Sequence, residues 1–284
     1  MLRFNDVSFG YKRREALLFS HLDWQLETGG ICGLLGPNGC GKTTLLYLMT
    51  GLLLPKDGSV EADGRDVSQR CREVLSEMFI VPETFELPSE TLCAHIKIYR
   101  HFYPCFSDEI LLRCLSEFDL PLDSPLDRLS MGQQKKVMIA FALACGTRYL
   151  FLDEPTNGLD VTSKKLFRKV MAANIAEDRT AVIATHQISD VAPLLDGVTV
   201  LGRNDAQSTS EVLCSSSLAA ITRRLSFTTE TYPPKISDKR LYTERTPFGY
   251  ASLSLRRDEE EETPVNLELL YNALQQGVRI PDLS

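Results

Sequence analysis

No run in the 284 residues approaches the ~20 consecutive apolar residues needed to cross a bilayer. The eight cysteines stand at 32, 40, 71, 93, 105, 114, 145 and 214, with no CxxC pair and no metal-ligand spacing. Neither a zinc site nor a disulfide framework is expected, and the cysteines that fall in apolar runs read as small buried residues of a reducing compartment. Basic excess is missing too: the net charge of −7 argues against nucleic acid as the main partner, because a phosphate backbone is held by a basic surface. There is no internal repeat, and the opening MLRFNDVSFGYKRRE lacks a signal-peptide core. Together these absences lead to the expectation of a cytosolic protein that reaches a membrane only through another chain. What is present, 43% hydrophobic and 24% charged residues, suits a globular chain with a sizeable core, either one large domain or a main domain with an appendage.

One stretch organises the rest. Gly36–Thr44 reads GPNGCGKTT and fits GxxxxGK[ST] through Gly36, Gly41, Lys42 and Thr43. The apolar run Ile31–Leu35 precedes it and Leu45–Met49 follows, so it lies where a strand turns into a helix. Glycines allow close wrapping around a highly charged triphosphate, and backbone N–H groups at a helix start then face the phosphates. The expected holders are Gly36, Pro37, Asn38, Gly39, Cys40, Gly41, Lys42, Thr43 and Thr44. Lys42 would reach the β- and γ-phosphates, and the Thr43 hydroxyl would bind Mg²⁺.

Residues 1–30 alternate apolar and polar side chains (Leu2, Phe4, Val7, Phe9; then Leu22, Trp24, Leu26), which predicts a short antiparallel β region. Pro55–Gly58 is a turn, Ser59–Val67 with Asp63-Gly64 a hairpin, and Met78–Val81 a short buried strand. A helical insert is expected over about 84–132. One of its helices would be capped by Ser89 and run through His101, and another would be capped by Ser107 with Ile110, Leu111, Cys114, Leu115 and Phe118 on one face. Helix 133–146, strand Tyr149–Leu152, helix 162–177, strand Ala181–Thr185, helix 188–195 and strand Val198–Gly202 then alternate, implying a mostly parallel sheet with ligand chemistry at its strand ends. Beyond Asn204 the pattern weakens. The Ser-rich Ser208–Ser217 and the charged Arg256–Glu262, a solvated loop or hairpin tip, precede a helix begun by Thr263-Pro264 with Leu267, Leu270, Tyr271 and Leu274 on one side. The domains read from this are 1–204 and a small α+β region, 205–284.

Tyr149–Pro155, YLFLDEP, is an apolar strand ending in two carboxylates. A buried strand has little reason to end so unless the acids meet a cation. Asp153 would hold Mg²⁺, and Glu154 would polarise an attacking water as general base.

With Leu129–Gln133, LSMGQ, the chain resembles the ATP-binding subunit of ABC transporters; the resemblance covers residues 1 to about 203, with the motifs in the family's order. It implies an α/β fold with a P-loop NTPase core, ATP and Mg²⁺ as cofactors, and a head-to-tail dimer of two such subunits enclosing two ATP molecules. It further implies an integral-membrane transporter subunit as partner. Tyr11 would stack on adenine. Ser130, Gly132 and Gln133 of the signature would meet the γ-phosphate held by the other subunit. Asp160, closing TNGLD (156–160), would contact the opposite phosphate loop, and His186 would orient the water beside Glu154. Two positions depart from the family pattern. Met131 replaces a usual glycine, and Pro82-Glu83 stands where a glutamine normally senses the γ-phosphate and Mg²⁺. Glu83 is expected to substitute for it, near the metal. Phe102-Tyr103-Pro104, SMGQQKK (130–136) and LELLYNA (267–273) look most like subunits of the ABC-2 exporter type. A soluble ABC ATPase without transport, and an ATP-gated regulatory dimer with little turnover, are the alternatives.

Overall fold

A computed structural model describes residues 1–12, 16–120, 123, 125–204, 208–233, 240–257, 260–280 and 283. The predicted alternation at the N-terminus becomes strands β1 (Leu2–Phe9) and β2 (Phe19–Leu26), and β3 (Gly30–Leu35) leads into α1 (Lys42–Met49). Next come β4 (Asp57–Ala62) and the two-residue β5 (Arg65–Asp66), joined at Asp63-Gly64, where both φ angles are positive, as the tight hairpin expected of an Asp-Gly pair requires. α2 (Arg72–Leu75), β6 (Met78–Val81), α3 (Leu92–Tyr99) and α4 (Asp108–Glu117) precede α5 (Met131–Ala144). The chain continues through β7 (Tyr149–Asp153), α6 (Val161–Asn174), β8 (Thr180–Thr185), α7 (Ile188–Val191) and β9 (Gly197–Asn204). It ends with β10 (Thr209–Ser217), α8 (Leu218–Arg224), β11 (Leu225–Glu230), β12 (Arg240–Thr246), β13 (Gly249–Leu255) and α9 (Leu267–Gln275).

Three sheets result. β2-β1-β4-β5 is antiparallel; β10-β9-β3-β8-β7-β6 is parallel except for its edge strand β10; β11-β13-β12 is a small antiparallel sheet. The main sheet is buried on both faces, and the two-residue period of a strand sorts its side chains. Leu150, Leu152, Ala181 and Ile183 face the helices α5 and α6, whereas Tyr149, Phe151, Val182 and Ala184 face α1 and the N-terminal sheet. The core is thus an α/β layer structure with the antiparallel β region stacked beside it.

Several expectations need correction at element ends. The helix after β6 is capped by Thr91, whose hydroxyl accepts from Ala94 N, and not by Ser89; it passes at Arg100 into a single 3₁₀ turn. α6 stops at Asn174 rather than 177, and α7 is one turn followed by a 3₁₀ turn. The last helix is capped by Asn266, while Thr263 accepts a hydrogen bond from Phe227 N and pins the chain to β11. Ser107 does cap α4, accepting from Ile110 N, and the apolar face of α4 is buried. The Ser-rich segment is strand β10: Ser215 accepts from the Trp24 indole and bonds Thr199, so these hydroxyls serve as internal partners. The expected start of the C-terminal region at 205 lies outside the described residues. α9 packs its Leu267, Leu270 and Leu274 face into the core shared with Ile188 and Val191 of α7.

Candidate active site

Strand register decides which residues meet. Leu35 stands opposite Thr185, Asp153 opposite Ala184, and Val81 opposite Leu152, so four parallel strands end side by side. The residues just beyond those ends, Lys42, Thr43, Asp153, Glu154, His186 and Glu83, line one cleft of about 630 Å³ with Tyr11 and Gly39.

Gly41, the N-cap of α1, has φ +95°, and a Cβ there would come within 2.8 Å of the Phe19 ring; a side chain is excluded by both conformation and space. Lys42 is buried, and its Nζ donates to the carbonyls of Gly36 at 2.8 Å and Pro37 at 3.3 Å, curling the loop around the ammonium. Thr44 and Tyr11 share a hydroxyl contact of 2.7 Å, which leaves the largely exposed Tyr11 ring on the cleft wall, edge-on to Phe9. Thr43 Oγ1 donates to Asp153 Oδ2 at 2.6 Å, joining residues 110 positions apart. Burial above all, reinforced by Glu154 and Glu83 nearby, raises the Asp153 pKa; the Thr43 hydroxyl works the other way.

Glu154 is buried with φ +45°, a left-handed conformation that costs a non-glycine residue ~1 kcal/mol or more. Its bonds show what holds it there. Oε1 accepts from His186 N at 3.1 Å and from His186 Nδ1 at 2.7 Å, Oε2 accepts from Thr185 Oγ1 at 2.8 Å, and Lys42 Nζ lies 3.9 Å from Oε1. A carboxylate only accepts, so the imidazole Nδ1 carries the proton. His186, which the family resemblance placed beside Glu154, is therefore in direct contact with the second carboxylate of YLFLDEP.

Glu83 is exposed, and its Oε1 accepts from Asn157 Nδ2 at 3.0 Å. The described residues include no group of three or more His, Cys, Asp and Glu placed to hold a metal; Thr43 Oγ1 and Asp153 Oδ2 are oxygen donors brought together in the cleft. Ser130, Gly132 and Gln133 begin α5 away from this cleft. Ser130 Oγ and Gln133 Oε1 cap each other's backbone N–H groups, Met131 is exposed, and a Cβ at Gly132 would meet the Gly158 carbonyl only at ordinary contact distance, 3.4 Å. Asp160 caps α6, accepting from Ser163 N at 2.7 Å.

Other residues at or beside the site were not assigned a role from the sequence. Arg203 and Ser208 line the cleft. Lys135 is buried, with a pKa lowered by burial against the opposing pull of Glu83, Glu154 and Asp153; its Nζ donates to Glu154 O and Asn157 O, both at 3.1 Å. Gln187 donates to Asn157 Oδ1 at 3.0 Å. A lysine in QQKK reads as a solvated charge, and only the packing of α5 on the 154–160 loop reveals the role of Lys135.

A phosphate loop between strand and helix, facing strand-end carboxylates on a parallel sheet, defines a P-loop nucleoside triphosphatase. The ABC transporter family matches residues 19–157. Over 220 residues the chain is 30% identical to the cobalt import ATP-binding protein CbiO of Salmonella typhimurium, covering 71% of this chain and 77% of that protein. Over 267 residues it is 28% identical to the Nod factor export ATP-binding protein I of Burkholderia thailandensis, covering 90% and 85%. A solved ATP-binding subunit of an ABC transporter aligns with TM-score 0.66 at 25% identity, over 78% of this chain and 92% of that one. The chain belongs to the ABC transporter family: it is an ATP-binding subunit and an ATPase.

Proposed function

We propose that this subunit hydrolyses ATP as one half of a head-to-tail homodimer and drives export through a separate membrane protein of the ABC-2 type. The observation that carries the hydrolytic part is Glu154, buried, held in a strained backbone conformation and gripped by His186 and Thr185 beside Lys42. Strain of that kind persists where surrounding bonds enforce it, and here they aim a carboxylate at the phosphate loop. Glu154 takes a proton from the water that attacks the γ-phosphorus; the bond to the β-phosphate oxygen breaks, and ADP and phosphate leave. His186 fixes the carboxylate, Lys42 and the loop amides hold the phosphates, and Tyr11 supplies an aromatic face for the base.

Thr43 and Asp153 suit Mg²⁺, a hard cation that prefers oxygen donors: a hydroxyl and a buried carboxylate 2.6 Å apart, the carboxylate flanked by two others that raise its pKa. Bound there, Mg²⁺ would neutralise charge developing on the phosphates. The Ser130–Gln133 turn and Asp160 would complete the site of the second copy. Export is favoured by the extent of the alignment with a Nod factor export ATP-binding protein, 90% of this chain against 71% for the cobalt import protein, and no described helix is long and apolar enough to cross a membrane, which suits a subunit held at the membrane by its partner.

In a purified preparation, Glu154→Gln is expected to lower the ATPase rate by about 10²–10⁴, and chelation of divalent cations to stop the wild type. Equal rates for wild type and Glu154→Gln would remove Glu154 from the chemistry. A neighbouring reading frame with about six spans of ~20 apolar residues is the expected membrane partner; its absence would shift the reading to a soluble ABC ATPase.

A further inference from the structure

Asn157 is tied at four points. Its backbone N–H donates to Glu154 O at 3.2 Å, and its carbonyl accepts from the buried Lys135 Nζ. Its side-chain Nδ2 donates to Glu83 Oε1, and its Oδ1 accepts from Gln187 Nε2, both at 3.0 Å. Gln187 Oε1 accepts in turn from Lys164 Nζ at 3.3 Å. The Gln187 backbone N–H donates at 2.9 Å to Thr185 Oγ1, the hydroxyl that holds Glu154 Oε2. One side chain thus bridges the loop after β6, the loop after β7 and the residue that follows His186.

The chain of bonds has a fixed sense because its ends are charged. A carboxylate at Glu83 can only accept and an ammonium at Lys164 can only donate, so both amides between them are locked in one orientation. With Lys164 fixing the far end, a glutamine at 83, the residue the family resemblance leads one to expect, would meet Asn157 Nδ2 through its amide oxygen, a weaker acceptor than a carboxylate.

We infer that Glu83 and Asn157 are positioning residues for hydrolysis: Glu83 acts through Asn157 and Gln187 on the Glu154–His186 pair, and not as a ligand of the metal. The inference rests on the reading of Glu154 as the general base. It also accounts for the exposed acid beside the cleft, whose charge orders the relay.

The test is a charge exchange in the full-length chain. Asn157→Asp sets a second carboxylate against Glu83, and kcat should fall about tenfold, the consequence of one disrupted charged hydrogen bond, with KM for ATP nearly unchanged. Adding Glu83→Gln supplies an amide donor to that carboxylate, while Gln187 donates to its other oxygen. The double variant should recover to within about twofold of wild type, a coupling that independent sites would not show. Asn157→Ala should lose kcat equally and gain nothing from Glu83→Gln, which keeps the test valid should Asn157→Asp fold poorly. A double variant no faster than Asn157→Asp, or a Glu83→Gln single variant whose defect is a raised Mg²⁺ requirement, overturns the inference. Glu154→Gln run alongside separates the failures: if it retains the wild-type rate, the general-base reading is what fails.

Discussion

Two helices in this chain start with short, glycine-containing turns that the family resemblance assigns to phosphate, yet their first turns are finished in opposite ways. α1 begins at Gly41, which has no side chain to cap with, beneath a buried Lys42 and against the Phe19 ring. α5 begins at Ser130, where Ser130 Oγ accepts from Gln133 N at 3.3 Å and Gln133 Oε1 accepts from Ser130 N at 3.0 Å. The first start has no side-chain cap on its amides, and its cation, held by the Gly36 and Pro37 carbonyls, keeps its charge for a ligand. The second satisfies its own donors, so a phosphate arriving there replaces bonds already made, and only the difference contributes to affinity. Under the proposed function this difference divides the labour: the phosphate loop would set nucleotide affinity, and the signature turn would report whether a second subunit has closed.

The largest effect expected from breaking this division is at Lys42. Lys42→Ala removes the cation from the phosphate cradle and should weaken ATP binding by about 10²-fold or more, measured by titration calorimetry, since charged hydrogen bonds of this kind are worth roughly 1.5–3 kcal/mol each. Ser130→Ala should divide its effects. Loss of the cap lowers stability by about 1 kcal/mol, nucleotide affinity of the monomer stays within about twofold, and ATP-driven dimerisation is lost. If Ser130→Ala weakened monomer affinity as much as Lys42→Ala, the two starts would be equivalent and the comparison would fail.

The smallest expected effect concerns Asp153. Burial and its acidic neighbours raise its folded pKa above the ordinary 3.8, so between those values the native state binds more protons than the unfolded one. Stability is therefore greatest below about pH 3.8 for this group, falls as pH rises through the folded pKa, and stays reduced above it. Without divalent cations at neutral pH, Asp153→Asn should melt slightly higher than wild type, and the gap should close on acidification. Added Mg²⁺ should stabilise the wild type and not the variant. A lower Tm for Asp153→Asn at neutral pH would contradict the electrostatic reading.

Much of this was legible in the chain because its strongest signals are local. GPNGCGKTT and YLFLDEP each combine a motif with the strand that presents it, and hydrophobic runs located β6, β7 and β8 to within a residue of their observed ends. Register across the sheet was not legible, although it is what brings Asp153 to Thr43 and His186 to Glu154. Helix starts misled where two capping residues lay close together. Ser89 and Thr91 offer similar caps, as do Thr263 and Asn266; Thr91 takes the first, and Thr263 is drawn off by its tertiary bond to Phe227 N. Serine-rich β10 hid as a strand because its hydroxyls find partners across the sheet. Lys135 and Gln187 were missed, and Asn157 passed as one letter of TNGLD, for the same reason: their contacts join loops far apart in sequence, and no spacing encodes those.

If one chain contains half of each ATP site, nucleotide held by the phosphate loop of one copy should drive closure of a dimer. The most direct measurement is the solution mass of Glu154→Gln by size-exclusion chromatography with light scattering, with and without Mg-ATP. The account predicts a 31.8 kDa monomer without nucleotide and twice that mass with it, the dimer disappearing when Ser130→Ala is added. A mass that is the same with and without Mg-ATP, in a protein shown to bind the nucleotide, would contradict it.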